Sequence, residues 1–208
     1  MPIKPDSKLI FIHVPKTGGS SIEKELGLHP SDVVDSDYFL SGGKKQKQHL
    51  TLAEILSIKK DDFDLSKFTA IGMVRNPINR MVSEYKWRKK INHNVINDLD
   101  INTFVKKIFD AKKQGAKLDS HFTPQSDFFK LGSQSALKEI KIFKFEDGFD
   151  KVSRYLSLYL KCSDFKIGKV NHTDQIKLDC ELHSESESLI KEMYEEDFEK
   201  FYREEYEL

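Results

Sequence analysis

Lys8-Leu9-Ile10-Phe11-Ile12-His13-Val14-Pro15-Lys16-Thr17-Gly18-Gly19-Ser20-Ser21 joins two opposite kinds of chemistry in immediate succession. Lys8–Val14 is almost continuously apolar, with β-branched Ile10, Ile12 and Val14, which is how a strand buried on both faces of a parallel sheet reads. Pro15 to Gly19 then breaks the run. Ser20 to Leu26 reads as a helix, with Gly27 as its C′ residue. The segment is therefore strand, glycine loop, helix.

A strand that empties into a glycine loop at a helix N-terminus presents unpaired N–H groups and the positive end of the helix dipole. Gly18 and Gly19 let the backbone curl round a phosphate-sized group without Cβ collisions. Lys16 adds a full charge, and Thr17, Ser20 and Ser21 add hydroxyl donors. On the glycine pair alone, an anion cradle and an ordinary βα turn are equally supported. A nucleotide triphosphatase loop needs its lysine after the last glycine, followed by a hydroxyl for Mg²⁺. Here the lysine precedes both glycines, which weakens that reading.

A second segment repeats the theme. Phe68-Thr69-Ala70-Ile71-Gly72-Met73-Val74 reads as another buried strand, ending at Arg75-Asn76-Pro77, where Asn76 suits an N-cap and Pro77 suits N1. Ile78 to about Lys90 follows as a helix with Met81, Val82 and Tyr85 on one face, and Arg80 and Ser83 lie at helical spacing from Arg75. Ligands of open α/β sheets lie beyond the carboxyl ends of the strands. If the two strands are neighbours, Lys16 and Arg75 face one crevice, where a guanidinium can fork a phosphate and a serine hydroxyl can complete the site. The plainer reading leaves Arg80 and Ser83 as exposed helix positions.

Outward from these segments, Gly42–Lys47 reads as a basic solvated loop, and Thr51-Leu52-Ala53-Glu54 has capping-box spacing for a helix to about Ile58. Thr103–Lys113 reads as a helix that buries Phe104, Val105, Ile108 and Phe109. Glu139–Phe145 alternates in part and reads as a third strand nearer an edge, and Asp147–Leu160 reads as a helix. From Ser184 the spacing of Leu189, Ile190, Met193, Tyr194, Phe198, Phe201 and Tyr202 predicts one long acidic terminal helix whose charges are a solvated face. Strands alternating with helices give an α/β fold: a three-layer, P-loop-like domain with a mostly parallel central sheet flanked by helices, one domain over residues 1–208.

Composition narrows the function classes. Lys+Arg and Asp+Glu both total 34, so there is no global basic field of the kind that holds nucleic acid, and any anion site must be local. No run of about eighteen apolar residues exists to form a membrane anchor, and the start, Met1-Pro2-Ile3-Lys4-Pro5-Asp6, does not read as a signal peptide. Cys162 and Cys180 lack the spacing of a zinc site or disulfide scaffold, so a reducing cytoplasm is the expected location.

Together the two segments resemble the nucleotide site of sulfotransferases that use 3′-phosphoadenosine 5′-phosphosulfate (PAPS), in particular the carbohydrate-type family. In that family a Pro-Lys-Thr-Gly-Gly-Ser-Ser-like loop binds the 5′-phosphosulfate, which the resemblance carries to Lys16, Thr17, Gly18, Gly19, Ser20 and Ser21. The family's Arg-x-Pro-x-x-Arg-x-x-Ser-x-Tyr pattern holds the 3′-phosphate and is matched by Arg75, Pro77, Arg80, Ser83 and Tyr85. The resemblance makes Arg75 and Ser83 direct contacts, with Arg80 and Tyr85 in support. His121-Phe122-Thr123-Pro124-Gln125, Lys169-Val170-Asn171 and Glu192–Tyr206 are similar to further family segments. The resemblance implies transfer of a sulfuryl group to a hydroxyl or amine of an acceptor, a carbohydrate or glycan, with PAPS as co-substrate, adenosine 3′,5′-bisphosphate (PAP) as product and no metal. It also implies a soluble bacterial or viral relative of the anchored Golgi enzymes. Oligomeric state is left open.

An acceptor hydroxyl needs a base, and imidazole suits neutral pH. Of seven histidines, His49 is the first choice, because it precedes the helix at Thr51 where some similar enzymes place a catalytic histidine. His121 is second, His13 reads as a packed strand residue, and Glu54 or Asp127 can also serve. Trp87, Phe122, Phe128 and Phe129 have rings that can stack on adenine or a sugar, but at these spacings such residues are more often core, and they are left unassigned. Acceptor choice is expected in Ser36–Gln48 and Asn92–Asn102. Two other readings stand beside this one: a P-loop kinase with Mg²⁺-dependent ATP binding, and a non-catalytic nucleotide-binding module.

Overall fold

The computed structural model describes residues 3–28, 33–35, 44–59, 61–91, 96, 98–131, 137–168, 178 and 180–206. Lys169-Val170-Asn171 lies outside the described residues, as do residues 36–43, 92–95 and 97 of the two segments expected to select the acceptor.

Among the described residues the chain runs β1 (Ile3–Lys4), β2 (Leu9–Ile12), α1 (Gly19–Leu26), β3 (Val33–Asp35), β4 (Lys44–Gln46), α2 (Leu52–Lys59), β5 (Thr69–Val74), α3 (Pro77–Lys90), α4 (Ile101–Lys113), α5 (Gln125–Phe128), β6 (Glu139–Lys144), α6 (Asp150–Leu160), α7 (Ser184–Met193), α8 (Glu195–Phe201) and α9 (Arg203–Tyr206). Four strands form the main sheet in the order β1-β2-β5-β6. The β2–β5 and β5–β6 pairs are parallel, in registers that place Leu9 beside Thr69 and Val74 beside Lys144. The short β1 adds antiparallel at the outer edge. This is an α/β fold with a mostly parallel sheet flanked by helices.

Both apolar strands are covered on two faces, which explains why neither alternates. Leu9, Phe11, Ile71 and Met73 pack with Ile22 and Leu26 of α1 and Val152 and Leu156 of α6. Ile10, Ile12, Ala70 and Val74 point the other way and pack with residues of α2, α3, α4, α7 and α8. Each fully buried Leu, Ile or Phe contributes about 1.5–3 kcal/mol to holding these layers together. Among the described residues β6 pairs with β5 alone, and its Glu139, Lys141 and Lys144 are exposed, so alternation survives there.

Three expectations are corrected. Lys44–Gln46, read as loop, pairs antiparallel with Val33–Asp35 as a separate ribbon. The helix expected from Asp147 starts at Asp150, because Phe145–Asp147 forms a 3₁₀ turn and Gly148 follows at φ 75°. The single terminal helix is broken at Tyr194 and Tyr202, whose ψ of 29° and 34° leave the α region. The break turns α8 so that Asp197, wholly buried and not on a solvated face, accepts the N–H groups of Gln125 and Ser126, both at 2.8 Å. No helix among the described residues is long and apolar enough to cross a membrane.

Candidate active site

The glycine loop is built by close packing. Beyond β2, Lys16 sits at φ 68° and Gly18 at φ 84°, so the chain makes two left-handed steps before α1 begins at Gly19. A Cβ at Gly19 would lie 2.1 Å from the His13 ring, and one at Gly18 would lie 2.8 Å from Phe149. The missing side chains are therefore steric requirements of the turn. Thr17 is buried and its hydroxyl donates to the Val14 carbonyl at 2.8 Å, which fastens the loop to the strand end. Ser20 is exposed at the first turn of α1, Ser21 is buried there, and Gly27 closes the helix at φ 67°.

The second strand end meets this loop. Asn76 caps α3 by accepting the N–H groups of Ile78 and Asn79, with Pro77 at N1. Arg75 Nη1 donates to the Lys16 carbonyl at 3.4 Å, and its guanidinium lies over the Phe145 ring at 4.4 Å. Gln125 holds the Arg75 backbone from both sides, accepting its N–H at 2.8 Å and donating to its carbonyl at 2.7 Å. Glu146 takes the Asn76 N–H at 2.8 Å and the Tyr202 hydroxyl at 2.7 Å, so the end of β6 is tied in as well. The Lys16 and Arg75 segments therefore meet at the ends of two neighbouring strands.

Arg80 is not an exposed helix position. It is buried, and Nε donates to the Pro15 carbonyl at 3.1 Å while Nη2 donates to the carbonyls of His121 at 2.8 Å and Thr123 at 3.0 Å. That geometry makes it a lock between the glycine loop and the His121 segment. Ser83 is buried one turn further along α3, and the Tyr85 hydroxyl donates to the Leu99 carbonyl at 2.8 Å.

An imidazole row lines the inner wall. His13 and His49 rings are 4.6 Å apart and His49 and His121 rings 5.0 Å apart, each pair edge to face. His13 is buried with Nδ1 2.9 Å from Glu23, at angles outside hydrogen-bond geometry. His49 is 4 % exposed, with Nδ1 3.2 Å from the His13 carbonyl and Nε2 3.3 Å from the Gln48 amide. His121 is different. Its Nδ1 is 2.8 Å from Glu84 Oε2, its side chain is 16 % exposed, and its ring stacks on Trp87 at 5.2 Å. Lys16 Nζ lies 5.0 Å from the same Trp87 ring.

Behind His121 stands a buried charge network. Arg88 Nε donates to Glu84 Oε1 at 2.5 Å and Nη2 to Asp119 Oδ2 at 2.7 Å, while Asp119 Oδ1 accepts the His121 N–H at 2.8 Å. Burial alone would raise the Glu84 carboxyl, but the charge and hydrogen bond of His121, with Arg88 and Lys16, hold it well below the usual carboxylate range. Burial brings the Lys16 ammonium from 10.5 down to about 8; Glu84 opposes this, while Arg75, Arg88 and Lys90 add to it. Sequence reading did not find Glu84, Arg88, Asp119 or the loop-facing roles of Trp87 and Gln125. The i, i+4 spacing of Glu84 and Arg88 was the one local signal, and it is common on solvated helices.

The two carboxylates named as alternative bases are used elsewhere. Glu54 Oε2 accepts the Thr51 N–H at 2.7 Å and hydroxyl at 2.9 Å as a capping box, and half-buried Asp127 pairs with Lys130. Phe122, Phe128 and Phe129 are buried in the core, as expected.

Comparison with known proteins adds one match. The model of the sulfotransferase family matches residues 1–203, a span that contains every residue of the candidate site described above. No curated protein and no solved structure gives a significant match.

Proposed function

The chain belongs to the sulfotransferase family, and from that membership we propose that it transfers a sulfuryl group from PAPS to a hydroxyl or amine of a carbohydrate acceptor. The observation that carries the donor assignment is the convergence of the two strand ends, with Arg75 Nη1 3.4 Å from the Lys16 carbonyl. One loop carries the Pro-Lys-Thr-Gly-Gly-Ser-Ser sequence and the other Arg-x-Pro-x-x-Arg-x-x-Ser-x-Tyr. A ligand with phosphates at two ends of an adenosine suits a crevice with one cation in each wall. The tight turn is consistent with this fit: Cβ atoms at Gly18 and Gly19 would collide with Phe149 and His13, so glycine alone lets the loop pack this closely at the start of α1. The carbohydrate acceptor rests on the resemblance of the motifs to the carbohydrate-type enzymes.

The donor supplies an activated sulfuryl group, whose transfer forms one S–O or S–N bond and breaks the S–O bond to the leaving phosphate. This chain's residues position and compensate charge. Lys16 and the loop N–H groups meet the charge that grows on the leaving phosphate; removing one such donor typically costs about 10²–10³ in rate. His121 takes the acceptor proton. With Nδ1–H donated to Glu84, the lone pair of Nε2 is free for that proton, and the resulting imidazolium is compensated by the carboxylate. His49, with both ring nitrogens in contact with neighbours and its ring between those of His13 and His121, packs the wall and orients His121.

The direct test is incubation with labelled PAPS and a panel of glycans, phenols and lipids, using the parent chain and Lys16→Ala. Sulfated product is expected from a glycan with the parent, and none with a Lys16→Ala protein that remains folded. Full activity in that variant overturns the loop assignment.

A further inference from the structure

The opposite edge of the sheet carries a second concentration of positive charge that the proposed transfer does not use. Lys8 precedes β2, Lys67 lies just before β5, Lys138 precedes β6 and Lys161 caps the end of α6; all four are exposed and line one open basin of about 840 Å³. β5 spans six residues, so this basin lies about 20 Å from the Lys16–Arg75 crevice, at the amino ends of the strands. Asp6 shares the rim and Asp64 pairs with Lys67 at 2.9 Å. Four lysines against two aspartates leave an excess of two positive charges in a chain with none overall.

Two further observations mark the place as more than a scatter of surface lysines. Three non-glycine residues among those described have positive φ, and all are lysines: Lys16 in the candidate active site, and Lys8 at 52° and Lys161 at 54° here. Glycine or asparagine adopts that conformation at little cost, whereas a long side chain opposes it by about 1–2 kcal/mol. Their backbones are pinned: the Lys8 carbonyl accepts the Tyr159 hydroxyl at 3.1 Å and the Thr69 N–H at 2.9 Å, and Lys161 N–H donates to the Leu158 carbonyl at 3.3 Å. In addition, the Ser7 hydroxyl, which belongs to a lining residue, is buried without a hydrogen-bond partner.

We propose that this basin is a second anion-binding site, which takes a ligand bearing two or more oxyanion groups, sulfate esters or phosphates, along one molecule. A single sulfate held by exposed lysines is largely screened at physiological salt, so several groups must bind together. The volume admits such a ligand. Fixed lysine backbones beneath exposed ammonium groups give donors from four separate segments at once, with Ser7 and Ser66 beside them.

The test is a titration of the nitrogen-15-labelled full chain with two probes in parallel, tripolyphosphate and a trisulfated disaccharide, at about 50 mM salt. At least one probe is expected to shift the amide signals of Lys8, Ser66, Lys138 and Lys161, and the probe that does so identifies the source of the oxyanions. A Lys138→Glu/Lys161→Glu variant, altered only at exposed positions, should bind that probe at least about tenfold more weakly. The proposal is overturned if neither probe binds at about 1 mM, if shifts are confined to 18–21, or if the variant binds as the parent does. Should the variant not fold, the map of shifted signals in the parent decides alone. Failure here leaves the reading of the other strand ends untouched.

Discussion

Lys16 sits in a left-handed backbone step with its ammonium over Trp87, partly withdrawn from water, and this gives it a pH signature. Lowered to about 8, it sheds its proton more readily in the folded chain than in the unfolded one, so fold stability rises as pH climbs from about 8 towards 10.5. A bound phosphate reverses the preference by favouring the charged form. Binding of PAP at pH values just above 8 is therefore expected to take up a proton, and its affinity to fall as pH rises further. Calorimetry in two buffers of different ionisation enthalpy checks this: equal heats in both buffers would remove Lys16 from the phosphate site. At the same scale, His121→Asn is expected to lower turnover about 10²–10⁴-fold with PAP affinity retained. His49→Asn should keep most of the turnover and lower the melting temperature instead. The reverse ranking, measured at saturating donor, would return the proton-transfer role to His49.

At the scale of elements, the site depends on contacts that cross the chain. α8 turns away from α7 at Tyr194 and delivers Asp197 to the bare N–H groups of α5, whose Gln125 in turn clamps Arg75. Asp197→Ala leaves two buried N–H groups without acceptors and is expected to cost about 3 kcal/mol or more. Asp197→Asn, which keeps one acceptor oxygen, should cost about half as much, and urea unfolding of the two variants checks the order. Equal midpoints for the parent and Asp197→Ala would show that the terminal helices do not support the site. Local signals had no access to this arrangement. The Asn76-Pro77 start of α3 and the Gly27 end of α1 were legible because each is fixed by its own residue's chemistry. Asp197 looked like one more acid on a solvated face, since its partners lie 71 and 72 residues away.

For the whole molecule, the sheet was legible where it is most buried. β2 and, after Thr69, β5 are apolar because helices cover both faces, and the two pair in parallel at the centre. β1, two residues long, and the polar β4 carry no such pattern and went unread. The meeting of the Lys16 and Arg75 segments was readable from motif order. The buried network behind His121 was not, because Glu84, Arg88 and Asp119 are charged residues buried through contacts with one another and with the distant His121. The proposed function thus needs a cationic crevice at the carboxyl ends of the strands, set into a molecule with no net charge. Calorimetric titration without Mg²⁺, comparing PAP with adenosine 5′-monophosphate on the parent and on Arg75→Ala, tests that crevice most directly. The predicted result is that the parent binds PAP at least about tenfold more tightly than the monophosphate, and that Arg75→Ala erases the difference. A parent chain that gives no heat with PAP, or that binds both nucleotides equally, would contradict it.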